Sequence, residues 1–135
     1  MLARPGLITA AAVLALAFGA ARAQEVAVET TTLGTSTITL YLHPFLTEEE
    51  LATLRTVATN AQALALFVPG KSGFAALAVA PEDGFIRNGT PVPSATAVGD
   101  LADAATASAM AIKACDGAKT GSAGCVAVLE IAPAS

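Results

Sequence analysis

The sequence predicts a single α+β domain with elements in the order strand, helix, strand, strand, helix, strand, and three observations carry that reading. Ile38, Leu40 and Leu42 alternate with Thr37, Thr39 and Tyr41, the period-2 signature of a strand with one buried face. Two stretches, 47–60 and 97–115, place apolar residues at helical spacing behind acidic or hydroxyl capping residues. Between them, the short apolar runs 61–68 and 74–80 flank the breaker Pro69-Gly70-Lys71-Ser72-Gly73, as paired strands do.

An export signal precedes these elements. Residues 1–23 supply a positive start at Arg4, an apolar run from Leu7 to Phe18, and the small-x-small site Ala21-Arg22-Ala23, so cleavage is expected between Ala23 and Gln24. The run is shorter than the roughly 20 apolar residues of a membrane-spanning helix, and no Cys follows the cleavage site to carry a lipid. The expected location is the periplasm or the cell exterior, with no lasting membrane anchor. Residues 24–34, rich in Thr and Glu, read as a flexible leader that is extended around Val26 and Val28.

The ordered domain is expected to span 35–135. Its first strand covers 35–42 and ends at His43-Pro44-Phe45. Thr47-Glu48-Glu49-Glu50 then fits a capping box, with Leu46 and Leu51 as the hydrophobic staple. The helix should bury Leu51, Leu54, Val57 and Ala58 and stop at Asn60, a residue that tolerates the left-handed conformation. The runs 61–68 and 74–80 are the second and third strands, the latter ended by Pro81-Glu82-Asp83-Gly84. Phe85 to Ser94 carries Asn88-Gly89, Pro91 and Pro93 and reads as an irregular crossing loop.

The second helix, 97–115, should present Leu101, Ala105, Ser108 or Ala109, Ile112 and Cys115 on one face, with Asp100 and Asp103 at its positive end and Gly117 as its stop. A last strand, 124–131, turns Glu130 away from Cys125, Ala127, Leu129 and Ile131. This order is that of the ferredoxin-like split βαβ fold, βαββαβ, a four-stranded antiparallel sheet with two helices on one face. An α+β sandwich with another strand order stays open.

Cleavage leaves 112 residues, enough for one domain with a modest core. All 11 acidic residues remain against five basic ones, Arg55, Lys71, Arg87, Lys113 and Lys119, a formal charge near −6. Such a balance, with no Trp and with dispersed aromatics, excludes nucleic acid as an expected partner.

Cys115 and Cys125 are the only cysteines, at the end of a helix and the start of the next strand, and in an oxidising compartment they are expected to form a disulfide. Closing so short a loop removes about 2.5 to 3 kcal/mol of unfolded-chain freedom in the entropy account. A redox motif would have two intervening residues, and zinc would need further ligands of which only His43 is a nitrogen donor.

His43 is the sole histidine, so any general-base or metal reading passes through it, yet no Ser or Cys is placed by sequence as its nucleophile. Gly70-Lys71-Ser72 resembles the end of a phosphate-binding loop, but the earlier glycine of that motif falls at Ala65. Glu48 to Glu50 suit a helix start and Glu82-Asp83-Gly84 a turn. Asn88-Gly89-Thr90 matches a glycosylation acceptor. No catalytic, cofactor or metal residue is assigned, and no cofactor is expected.

The stretches GFAALAVAPEDG, KACDGAKTGSAGC and VAVLEIAP together resemble small exported bacterial domains in which a strand precedes an Ala-rich helix whose last Cys pairs with one heading the next strand. From LYLHPFLTEEEL onward the chain also resembles short exported alphaproteobacterial proteins of unknown function, some of which carry the label 5-aminolevulinate synthase. An enzyme of that activity is a large pyridoxal-phosphate protein with a Schiff-base lysine. None of Lys71, Lys113 or Lys119 lies in a recognisable cofactor motif, so the resemblance assigns no functional residue.

The function expected from these readings is non-enzymatic binding of another protein or a peptide. Sheet edges would serve for strand addition, and the Phe85 to Ser94 loop for specific contact. A protease inhibitor or prosegment-like module is the alternative, since SGFAAL on the third strand is weakly similar to those domains. An enzyme built on His43 is the third.

Overall fold

The computed structural model describes residues 26–68 and 72–133. Ten elements follow one another: β1 (Ala27–Leu33), β2 (Ser36–Leu42), α1 (Glu48–Thr59), α2 (Ala61–Phe67), β3 (Phe74–Val79), β4 (Ile86–Arg87), β5 (Thr90–Pro91), β6 (Thr96–Leu101), α3 (Ala104–Ala118) and β7 (Val126–Pro133). The fold is α+β with three helices, and its main sheet has five strands rather than the four expected, ordered β1-β2-β7-β3-β6 and antiparallel throughout.

The strand β1 lies wholly within the stretch 24–34, the expected flexible leader. Residues 27–33 pair along their whole length with β2, from Ala27 opposite Leu42 to Leu33 opposite Ser36, around a tight turn in which Gly34 has φ +63°. As an edge strand β1 buries little on either face, so it lacks the apolar alternation that marks a half-buried strand. Its β-branched Val and Thr residues suit extended backbone.

Residues 61–68, expected as a strand, form the helix α2 instead. Asn60 is extended (φ −137°) rather than left-handed, and it caps the following helix: its Oδ1 accepts from the Ala63 N–H at 3.0 Å. Ala, Gln and Leu are good helix formers, and an apolar run this short does not distinguish strand from helix by pattern.

The expected helix at 97–115 divides. Thr96–Leu101 is the strand β6, paired with β3, and α3 begins only after Asp103, whose Oδ1 accepts from the Thr106 N–H at 2.7 Å. Asp100 therefore sits in a strand, at φ +60°, and only Asp103 serves the helix start. The buried stripe of α3 is Ala107, Ala111 and Cys115; Ala105 and Ala109 are exposed. The helix passes Gly117 and ends at Ala118.

The helices do not share a face of the sheet. On β3, Ala75, Leu77 and Val79 join one core with Leu54, Val57 and Ala58 of α1, while Ala76 and Ala78, with Ala80 just beyond the strand, join a second with Ala107, Ala111 and Cys115 of α3. Alternate residues of a strand point to opposite faces, so α1 with α2 and α3 cover opposite sides. A central strand apolar on both faces is what burial on both faces requires.

The disulfide forms as expected, Cys115 to Cys125 with Cα atoms 6.1 Å apart. The loop it closes is tied down further. Asp83 accepts from the Thr120 hydroxyl and, at 3.0 Å, from the Thr120 N–H, and Glu82 accepts from the Ala123 N–H at 3.1 Å.

Candidate functional site

β7 carries the irregularity that shapes the site. Its pairing with β3 runs Ala76 to Glu130 and Leu77 to Leu129, then shifts so that Ala78 meets Ala127. Val128 and Leu129 consequently both enter the core under α1, and a strict alternation cannot hold along the strand. The expected set of Cys125, Ala127, Leu129 and Ile131 is broken. Leu129 and Ile131 pack with the α1 core, whereas Cys125 belongs to the α3 core. Glu130, paired with Ala76, faces the α3 side.

On that side α3 packs against β3, β6 and β7. By register the same face of the β1–β2 hairpin bears Val28, Thr30 and Thr32 beside Tyr41, Thr39 and Thr37. Between α3 and this hairpin lies an open groove of about 390 Å³, lined by Val26, Tyr41, His43, Ile112, Cys125, Val126, Ala127 and Glu130. Its lining is mostly apolar. Along β7 the floor runs from Cys125 and Val126 to Glu130, so the carboxylate stands at one end.

Three side chains from three elements meet at that end. The Tyr41 hydroxyl donates to Glu130 Oε1 at 2.7 Å, and the Ser108 hydroxyl of α3 donates to Oε2 at 2.5 Å. The bond to Glu130, helped by burial and by the Glu130 charge, pushes the Tyr41 phenol up to about 12. Both oxygens of Glu130 thus accept from neutral hydroxyls.

His43 sits on the groove wall but not in a catalytic arrangement. Its Nε2–H donates to the Ala127 carbonyl at 3.0 Å, and its ring stacks on Phe45 with centroids 5.4 Å apart. The hydroxyls of Tyr41 and Ser108 are both bonded to Glu130 rather than to His43. A Ser–His or Cys–His pair, which nucleophilic catalysis needs, is not formed among the described residues. Nor do three His, Cys, Asp or Glu side chains among the described residues come together as metal ligands would.

A second polar centre lies on the opposite face. Glu50, predicted as a capping-box residue, closes that box with Thr47: its Oε1 accepts from the Thr47 N–H at 2.9 Å and its own N–H donates to Thr47 Oγ1 at 3.1 Å. Its other oxygen reaches across the fold to accept from the N–H groups of Phe85 (2.7 Å) and Ile86 (2.8 Å) and from the Arg87 guanidinium (2.5 Å). Burial alone pushes this carboxyl up, but the N–H groups of Thr47, Ile86 and Phe85 and the Arg87 charge outweigh it and hold it below its ordinary value. The loop expected to be irregular is thereby a small hairpin, β4 with β5, turned by Asn88 (φ +57°) and Gly89 (φ +75°). Its base is buried and its tip, from Arg87 to Pro91, is exposed.

The remaining expectations separate by position. Ala23 and Gln24, with the whole expected signal, lie outside the described residues, as do Gly70 and Lys71 of the phosphate-loop-like stretch. Ser72, just before β3, donates its N–H to Asp100 Oδ1 near the end of β6 at 3.0 Å. Among the described residues no helix is long and apolar enough to cross a membrane. Neither protein-family models, curated proteins nor solved structures match this chain.

Proposed function

We propose that this is an exported, non-enzymatic binding domain that takes a peptide segment of another protein in the groove between α3 and the β1–β2 hairpin. The observation that carries the reading is the groove itself: a concavity with mostly apolar walls, built on a sheet braced by the disulfide, with one set of polar groups at its end. Binding sites of this kind combine apolar area with a few placed polar groups that fix orientation. Export is supported by the disulfide, which persists in oxidising compartments.

The test is selection of random dodecapeptides on the mature domain, with counter-selection on Val26→Trp. Val26 lies on the groove wall just before β1, so an indole there fills the groove without entering the core. Peptides retained by the wild type and lost on the variant support the reading. Peptides retained equally by both move binding elsewhere and overturn it.

The inhibitor-like alternative is favoured by one observation, the exposed β4–β5 tip on a base pinned by Glu50. Inhibition of a purified panel of bacterial proteases, abolished by substitutions at Asn88 or Thr90, would support it. No inhibition at high concentration removes it.

A further inference from the structure

We infer that the segment held in the groove presents a basic side chain, Lys or Arg, whose charged head pairs with Glu130 while its methylene stem lies along Ile112 and Val126. This rests on the groove being the binding site. The inference comes from a contrast with the ion-paired carboxylates. Asp83, which also accepts from hydroxyls, those of Ser94 and Thr120, differs in taking the Thr120 N–H as well and in feeling the Arg87 charge. Glu29 pairs with Arg55 at 2.8 Å, Glu50 with Arg87 and three backbone N–H groups, and Asp116 with Lys119 at 3.4 Å and the Cys125 N–H. Glu130 is half-buried and has only two neutral hydroxyl donors, with no cation within ion-pair distance among the described residues.

A carboxylate held partly out of water is stabilised most by an opposite charge. Each of its oxygens keeps one acceptor direction after the hydroxyls have bonded, which suits an ammonium or the fork of a guanidinium. Tyr41 from β2 and Ser108 from α3 each hold one oxygen of the carboxylate and so fix it in place. The apolar floor accommodates the stem of a long basic residue, whose methylenes pack while the head stays polar. An acidic mature chain also attracts basic partners at long range.

The probes are three acetylated, amidated heptapeptides, Ala-Val-Leu-Lys-Leu-Val-Ala and its siblings with norleucine or Glu at the centre, titrated into the isotope-labelled mature domain. We expect the Lys peptide to shift the amides of Ile112, Val126, Ala127 and Glu130 and to bind about tenfold more tightly than the norleucine sibling. Glu130→Gln should erase that preference, and Ser108→Ala, which leaves the charge, should retain it. Melting of both variants separately reports whether they stay folded.

Equal binding of the Lys and norleucine peptides at the groove overturns the cation inference and leaves the groove reading standing. Absence of shifts at these amides with all three peptides at millimolar concentration overturns both. A preference for Lys that survives Glu130→Gln in a folded variant assigns the attraction to general charge and overturns the role of Glu130.

Discussion

Glu50 and Arg87 form an ion pair at 2.5 Å whose carboxylate half is wholly buried and whose guanidinium half remains 42 % exposed. The asymmetry decides which partner matters. Glu50 also serves the N–H groups of Thr47, Phe85 and Ile86, so its removal strands three donors, whereas removal of Arg87 leaves the carboxylate three good partners.

Glu50→Ala is therefore expected to lower stability by about 3 kcal/mol and Arg87→Ala by about 1 kcal/mol. Urea unfolding of the two variants measures both. Equal losses would show that the guanidinium, not the backbone cradle, carries the interaction.

Acid should unfold this domain. The carboxyls of Glu29, Glu50, Asp83, Asp103 and Asp116 are all held below their ordinary values of 4.5 and 3.8. Each binds protons more weakly folded than unfolded, so the stability they contribute is present above about pH 4.5 and is lost as pH falls through the lowered folded values. Melting temperature followed from pH 7 to pH 2.5 should fall in that window. Glu50→Gln should flatten the fall, and an unchanged slope would remove Glu50 from the acid response.

Tyr41 offers an alkaline readout, because it is the only Tyr and the chain has no Trp. Tyrosinate absorbance of the folded wild type should rise with a midpoint of about 12, and in Glu130→Gln it should return toward the ordinary 10. Tyr41 holds its proton more tightly when folded, so its contribution to stability is complete below pH 10 and is lost as pH rises through about 12. A wild-type midpoint near 10, with the far-ultraviolet spectrum still native, would contradict the Tyr41–Glu130 bond.

Replacing Cys115 and Cys125 by Ala should lower stability by about 2.5 to 3 kcal/mol through the freed loop. The mature protein recovered from its own host is expected to have a mass beginning at Gln24 and two hydrogens short of the dithiol form. A full-length, reduced species would contradict export.

Locally encoded features were legible from sequence. The capping box of Thr47 and Glu50, the β2 alternation, β3 and its Pro-Glu-Asp-Gly end, and the Cys115–Cys125 pairing each depend on residues close in the chain, or on the only two cysteines present. The misread segments share another property. At 61–68 and 96–101 short apolar or small-residue patterns suit either helix or strand, and pairing partners or a cap settle the outcome: Asn60 for α2 and β3 for β6. The edge strand β1 has no apolar alternation to read, because its pairing is made by backbone groups.

The candidate site was scarcely visible in the sequence. Tyr41 and Glu130 are 89 positions apart, and Ser108 comes from a helix whose expected face admitted it only as an alternative to Ala109. Alternation turns Glu130 away from Leu129 and Ile131 as expected, but periodicity does not show that β2 and α3 bring Tyr41 and Ser108 to it, or that the shift in β7 puts Cys125 and Ala127 on its side.

Sequence by itself determined the α+β class, the start of α1, the disulfide and the acidic character of the expected mature chain, since caps, alternation, Cys pairing and charge balance act locally or additively. Tertiary structure alone decided that the helices take opposite faces, that β1 completes the sheet, and that Glu50 is buried while Glu130 faces a groove. Those outcomes depend on which surfaces bury each other and on where a strand's register shifts, and both are properties of residues brought together from distant parts of the chain.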